Sequence, residues 1–474
     1  MISKETTVDS NVANKEILTN AFYMATPSQS WTGLWAHPGS DAMSYNRLGF
    51  WTDLARTAER GLIDGIFLAD GLGIHDVYRG SPDAIMRAGG MFPVNDPMMM
   101  IPAMAAATSD LCFGVTANSS YEPPYLLARR FSTLDHLTEG RVSWNVVTGF
   151  QPSAARAMGV EPVRHDQRYD VAEEYMDLMY RLWEQSWEDG AAVRDRERRV
   201  FTDPARVHRI RTEGRYACEA FHPCEPSPQR TPFIYSAGAS ARGMRFAGTH
   251  AEAAFMSVSD KGHASRIVDG YRKAAVDAGR GADSVKVFNA ITVVVAPTEA
   301  EARDIEAQCR EFSDGEGNLA MLSGFIGQDL SKYGWDDPVE HVESDAMQSV
   351  LDAMTRENGG RTVRIRDIAS FSGLAGSEAY VVGSPSQVCD ELISWVDGTG
   401  IDGFNLVRTI EPGGLRSFTE LVVPELQDRG RYKTAYRPGT FREKLFPDGG
   451  PHLPADHIGS RYRRTGVAAG GSAS

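Results

Sequence analysis

Alternation dictates the first reading of this chain. Eight short apolar runs are each followed by a stretch that is helical in pattern or long enough to hold a helix. The runs cover residues 18–24, 65–70, 112–117, 142–147, 232–237, 253–256, 286–295 and 403–407, and amphipathic stretches lie at 45–60, 126–137 and 169–185. Strands that alternate with helices build parallel sheets from βα units, and eight such units predict an α/β fold, a (β/α)8 TIM barrel. A doubly wound sheet is the other arrangement of the same units. No GxGxxG follows any of the runs, which disfavours a dinucleotide fold.

The spacing is uneven. Strands four and five, and strands seven and eight, are too far apart for plain βα loops, so each gap is expected to hold an insertion with structure of its own. The expected plan is a flexible segment at 1–16 and one barrel domain at 17–446. The insertions fall at about 148–230 and 297–380, and a partly disordered tail at 447–474 ends in Gly/Ala/Ser-rich sequence. The run "RDRERR" in the first insertion reads as a solvated surface.

Charge and cysteine usage narrow the class. With Lys+Arg 49 against Asp+Glu 63 the net charge is −14, which argues against nucleic acid and anionic membranes as partners. The five cysteines form no CxxC pair, no apolar run approaches a membrane span, and the polar N-terminus lacks the apolar core of a signal peptide. A cytoplasmic protein with reduced thiols is expected.

Barrel active sites lie at the C-terminal ends of the strands. Those positions hold Asp70, Thr116, Asn118, Asn145, Ser240 and Arg408. Each alone has the plain reading of a cap or loop residue; together they would line one cavity. Asn145 interrupts an otherwise apolar strand, and a buried amide without partners costs about 1–3 kcal/mol. "SAGASARG" after strand five leads into a helix whose N-terminus would seat a phosphate, with Ser240 as an ordinary N-cap the alternative. His165 and Tyr169 in "RHDQRYD" share a face if that segment is helical; either can donate to a phosphate, or the pair forms a capping turn. None of the eleven histidines forms an HxH, HExxH or HxxxH pair and no GxSxG is present, so neither a metal site nor acyl-transfer chemistry is expected.

Longer motifs carry a resemblance. "DGIFLADGLGIHDVYRGSPD", "YEPPYLLARRFSTLDHLTEGRVSWNVVTG", "RHDQRYDVAEEYMDLMYRLWEQSWEDGA" and "HPCEPSPQRTPFIYSAGASARGMRFAGTHAEAAF" closely resemble the bacterial-luciferase-like flavin monooxygenases. Within them the match is to the branch of nitrilotriacetate, dibenzothiophene-sulfone and dimethyl-sulfide monooxygenases. The resemblance implies a (β/α)8 barrel that uses reduced FMN, supplied by a separate NAD(P)H:flavin reductase, and O2 as co-substrate. It implies Asp70 and Thr116 against the isoalloxazine and Asn145 at the ring's polar edge or ribityl chain. It also implies His165, Tyr169, Ser240 and the Ala241 backbone at the phosphate.

His37, in "WAHP" where relatives read W-R-H-P, is a candidate catalytic residue beside the flavin or substrate; its plain reading is a loop histidine packed on Trp35. Asn145 and Arg408 complete the candidate catalytic set. Arg408 favours a polar substrate unless it pairs with an acid such as Glu411. The implied substrate is a small organosulfur compound such as dimethyl sulfide. The alternatives are a polar heterocycle such as riboflavin or an aminopolycarboxylate. Use of deazaflavin F420 and a non-catalytic flavin-binding role are the competing functions. A homodimer or homotetramer is the expected assembly.

Overall fold

The computed structural model describes residues 15–149, 151–161, 163–338, 362–370 and 378–464. Strands form at each of the eight apolar runs. The first four are β1 (Leu18–Met24), β2 (Gly65–Ala69), β3 (Cys112–Asn118) and β4 (Val142–Val147). Two small antiparallel hairpins follow in the first insertion, β5 (Ala192–Asp195) with β6 (Val200–Thr202) and β7 (Ile210–Thr212) with β8 (Cys218–Ala220). Then come β9 (Phe233–Ser236), β10 (Ala253–Met256), β11 (Lys286–Val295), β12 (Ala379–Gly383) and β13 (Gly403–Val407).

The strand order is β10-β9-β4-β3-β2-β1-β13-β11-β12, with β10 also paired to β11. The registers are parallel. Eight strands thus close into the (β/α)8 barrel that the alternation predicts. The ninth, β12, pairs with the last five residues of β11 and falls where the sequence reading placed the end of an insertion.

Contacts divide the chain into two compact units. The first, Met1–Leu111, Phe255–Gly270 and Lys286–Tyr436, contains β1, β2, β11, β12 and β13. Its inward layers mix apolar and polar side chains. Phe22, Phe67 and Phe255 meet with ring centroids 5.1–5.7 Å apart, and Asn20 donates to Asn405 Oδ1 at 2.9 Å across the β1–β13 register. The second insertion supplies helices Glu299–Phe312 and Gly315–Ile326. The first starts at a capping box, in which Thr298 Oγ1 accepts from the Glu301 N–H and the Glu301 carboxylate accepts from the Thr298 N–H.

The second unit, Cys112–Ala254, Tyr271–Val285 and Arg437–Ser474, contains β3, β4, the hairpins and β9. Its core is aromatic. Trp144 packs on Phe131, Tyr175 and Trp183, and its indole N–H donates to the Ala117 carbonyl at 3.0 Å. Among the described C-terminal residues Leu453 and His457 are buried, His457 Nε2 lies 2.9 Å from the His250 carbonyl, and Arg463 reaches Glu184 at 2.8 Å. Residues 1–14 of the expected N-terminal segment and 465–474 of the expected tail lie outside the described residues.

Candidate functional site

Two groups of the expected residues meet in the second unit. Thr116 and Asn145 are direct register partners on β3 and β4. The Asn145 amide donates to Thr116 Oγ1 at 2.9 Å, which answers half of the question its place in an apolar strand raises. Its carbonyl oxygen, Oδ1, is buried and has no partner. A buried acceptor left empty costs about 1–3 kcal/mol, a cost that a donor from water or from a ligand relieves. Beyond the strand ends the chain stays ordered: the Ser119 N–H donates to the Val147 carbonyl, and Asn118 Oδ1 accepts from the Ser120 N–H.

The second group surrounds the start of helix Ala241–His250. Ser240 is its N-cap, with Oγ accepting from the Gly243 N–H at 3.1 Å. Capping occupies a lone pair and leaves the hydroxyl proton to be donated. Tyr169, on helix His165–Tyr180, brings its hydroxyl against Gly238 and Gly243. A Cβ on Gly238 would stand 2.5 Å from Tyr169 Oη; one on Gly243 would stand 2.6 Å from the Gly238 carbonyl oxygen and 2.7 Å from Tyr169 Oη. Only glycine leaves this space. Burial raises the Tyr169 hydroxyl pKa, so it remains a donor. Ser240 and Ala241 are exposed, which leaves the helix N-terminus and its positive end open. His165 begins helix His165–Tyr180, but its side chain lies outside the described residues.

Other candidates belong to the first unit. Asp70 follows β2 and its Oδ1 accepts from the Gly71 N–H at 2.9 Å. His37 is half-buried with both ring nitrogens engaged. Nδ1 accepts from the Gly39 N–H at 3.0 Å and Nε2 lies 3.0 Å from Gln308 Oε1, a pattern that assigns the proton to Nε2. Its ring meets Phe312 edge-on, so Trp35 is not its support; the Trp35 indole N–H donates to the Ala88 carbonyl instead.

Arg408 follows β13 and is 5% exposed. Its terminal nitrogens donate to the carbonyls of Thr26 at 2.8 Å and Pro27 at 3.0 Å rather than to Glu411. Burial lowers its pKa, opposed chiefly by the nearby Glu411. Glu411 is itself buried and pushed up to about 7 by desolvation, with Tyr23 and Arg408 pulling the other way.

Three features escaped the sequence reading. Gly238 and Gly243 were visible only as small residues in "SAGASARG"; that they border Tyr169 depends on the fold. Tyr271, fully buried in the second unit, brings its hydroxyl to the Gly238 backbone, and desolvation raises its pKa. His75, after β2, is buried with Nδ1 unpartnered and its pKa lowered to about 4 by desolvation. Among the described residues no cluster of three potential metal ligands occurs, and no helix is long and apolar enough to cross a membrane.

The chain as a whole is similar to known proteins. The family model described as luciferase-like monooxygenase matches residues 28–403. Dimethyl-sulfide monooxygenase of Hyphomicrobium sulfonivorans is 43% identical over 451 residues, covering 95% of this chain and 94% of its own. Long-chain alkane monooxygenase of Geobacillus thermodenitrificans (strain NG80-2) is 45% identical over 451 residues, covering 95% and 98%. Among solved structures, riboflavin lyase with modified FMN and its substrate riboflavin has a TM-score of 0.86 at 34% identity, covering 95% of this chain and 100% of that one.

Proposed function

The chain belongs to the luciferase-like monooxygenase family and is an oxidoreductase of that kind; we propose that it is the oxygenating component of a two-component system. It takes reduced FMN from a separate NAD(P)H:flavin reductase and uses O2 to oxygenate a small organic substrate. Reduced FMN, when bound, supplies the electrons that activate dioxygen. The observation that carries the reading is the empty Asn145 carbonyl oxygen on a barrel strand. It fits a donor on the flavin's polar edge or ribityl chain.

The cradle supports it from the other end of the cofactor. The Tyr169 and Ser240 hydroxyls and the Ala241 N–H are donors for the phosphate, and Gly238 and Gly243 keep its space clear. Val115 and Val146, buried beside Thr116 and Asn145, keep water from the strands that carry these contacts. Substrate choice is not fixed by identity, since relatives at 43% and 45% are named for a sulfide and an alkane.

The test is an anaerobic titration with photoreduced FMN, repeated with reduced F420, followed by air-saturated buffer and a substrate panel. Saturable binding of reduced FMN with O2-dependent loss of one substrate supports the reading. Binding of F420 alone would overturn it.

A further inference from the structure

The donors proposed for the phosphate stand on two different helices. Tyr169 is carried by helix His165–Tyr180, while Ser240 and Ala241 open helix Ala241–His250. The Tyr169 hydroxyl reaches the Ser240 side chain and borders Gly238 and Gly243. Donors on separate elements converge on one group only if the spacing between those elements is fixed. What fastens these two helices together therefore sets the shape of the seat.

Their contact runs along one stripe of each. On the first helix it is made by Tyr169, Asp170, Glu173 and Tyr180, spaced so that their side chains share a face. On the second it is made by Arg242, Phe246 and His250, at every fourth position.

The polar contacts are unequal. Arg242 Nη2 lies 2.5 Å from Asp170 Oδ1, but the Asp170 side chain is 66% exposed, and such a surface pair is worth little. His250 is the opposite case, with a side chain 3% exposed. Its Nε2 lies 2.6 Å from Glu173 Oε2, and its Nδ1 lies 3.1 Å from the Tyr180 hydroxyl. With the proton on Nε2 the imidazole donates to the carboxylate and accepts from the tyrosine, which satisfies all three groups.

His250 is itself anchored. Its carbonyl accepts from His457 Nε2 at 2.9 Å, and His457 Nδ1 accepts from the Gly459 N–H at 3.0 Å. The His250 ring meets Tyr180 and Phe246, with centroids 5.8 and 4.7 Å away, and Phe246 in turn meets Tyr169 at 5.5 Å. Glu173, one turn beyond Tyr169, thus ties the first helix to a fixed point on the second.

We propose that Glu173 is a positioning residue for the cofactor's phosphate: its hydrogen bond with His250 sets where the first helix presents the Tyr169 hydroxyl to the N-terminus of the second. This role rests on the flavin reading. It asks reach of Glu173 more than charge, since a neutral imidazole needs only an acceptor and the nearest Arg242 nitrogen is 3.9 Å from the other carboxylate oxygen.

The test is anaerobic titration of the full chain with reduced FMN in two backgrounds, wild type and Tyr169→Phe. In the wild-type background Glu173→Ala is expected to weaken binding about fivefold. Glu173→Asp keeps the charge but is one methylene short, and should lose a similar factor. Glu173→Gln keeps an acceptor at the same reach and should stay within about twofold of wild type. Asp170→Ala removes only the exposed pair and should do likewise. In the Tyr169→Phe background no hydroxyl remains to be placed, so Glu173→Ala and Glu173→Asp should change binding by less than about twofold.

A general loosening of the fold would weaken both backgrounds alike, so an equal loss in the two overturns the proposal. So does unchanged affinity in Glu173→Ala and Glu173→Asp, a loss in Glu173→Gln as large as in Glu173→Asp, or a loss in Asp170→Ala as large as in Glu173→Ala. Should Glu173→Ala fail to fold, Glu173→Asp carries the comparison. A wild type that binds no reduced FMN sinks the flavin reading and takes this role with it. Wild-type binding together with any of the failures above sinks the role alone.

Discussion

Asn145 donates its side-chain amide to Thr116, its direct neighbour across the β3–β4 pair, and leaves its own carbonyl oxygen buried and empty. Thr116 therefore fixes which way the amide points. The donor is used inside the protein and the acceptor is presented.

Asn145→Ala is expected to weaken reduced-FMN binding about tenfold, the worth of one buried hydrogen bond. Thr116→Val, which frees the amide to turn over, should weaken it by a similar factor with Asn145 still present. Both are read by anaerobic fluorescence titration. Unchanged affinity in either variant would remove Asn145 from the cofactor site.

Gly243→Ala places a methyl group 2.6 Å from the Gly238 carbonyl oxygen, backbone that cannot swing away. FMN affinity should fall by at least tenfold while riboflavin, which lacks the phosphate, changes little. Tyr169→Phe should show the same split in weaker form, because it removes one donor and leaves the space. Equal losses for FMN and riboflavin would place the phosphate elsewhere.

How much of this was legible in advance depended on whether the signal was local. Apolar runs such as 18–24 and 142–147 became strands with those bounds, because strand formation follows from a short, locally visible pattern. β12 did not stand out. Its five residues sit after a long polar stretch, and so brief a run reads equally as the end of an insertion. Helix His165–Tyr180 starts earlier than the apolar pattern indicated, since its first turn is polar. At the site, Asn145 was conspicuous because an amide in an apolar strand breaks a pattern. The segment "TPSQSW" broke none. Ser, Pro and Gln are ordinary loop residues, and only the fold reveals that the Ser28, Gln29 and Ser30 side chains are buried without a protein partner. Arg408 was expected to face a substrate or Glu411. Its use of two backbone carbonyls 381 and 382 residues away in sequence is a long-range fact that spacing does not encode.

The second unit contains a buried ion pair with no expected part in catalysis. Arg442 Nε and Nη2 lie 2.5 and 2.9 Å from the Glu252 carboxylate, both side chains are 2% exposed, and Arg442 also donates to the Thr231 carbonyl. Arg442→Met would strand a carboxylate in the interior and is expected to cost about 3–5 kcal/mol. The double change Arg442→Met with Glu252→Leu removes both charges and should recover most of that loss. Chemical denaturation of the three proteins checks this; a double variant as unstable as the single one would mean the pair's hydrogen bonds, not its charge, hold the segment.

Glu411 gives the protein a pH dependence whose sign can be worked out. Desolvation holds its carboxyl near 7 in the folded protein, against an ordinary value of 4.5. Below 4.5 both the folded and unfolded chains carry the proton, and the group has no effect on stability. As the pH rises from 4.5 to 7 the unfolded chain ionises first, so stability is lost across that window and the loss levels off above 7. A difference of 2.5 units corresponds to about 3 kcal/mol. Glu411→Gln cannot ionise. It should match the wild type near pH 5 and exceed it by about 1–3 kcal/mol at pH 8, the lower figure allowing for an amide less well accommodated than the neutral acid. His75 and His222, both lowered to about 4 by burial, act in the opposite sense, since the unfolded chain takes up their protons as pH falls below 6.5. They contribute equally to both proteins, so the difference between the two unfolding curves isolates Glu411. A gap that stays constant from pH 5 to 8 would mean that Glu411 ionises in the folded protein near its ordinary value, paired in fact with Arg408.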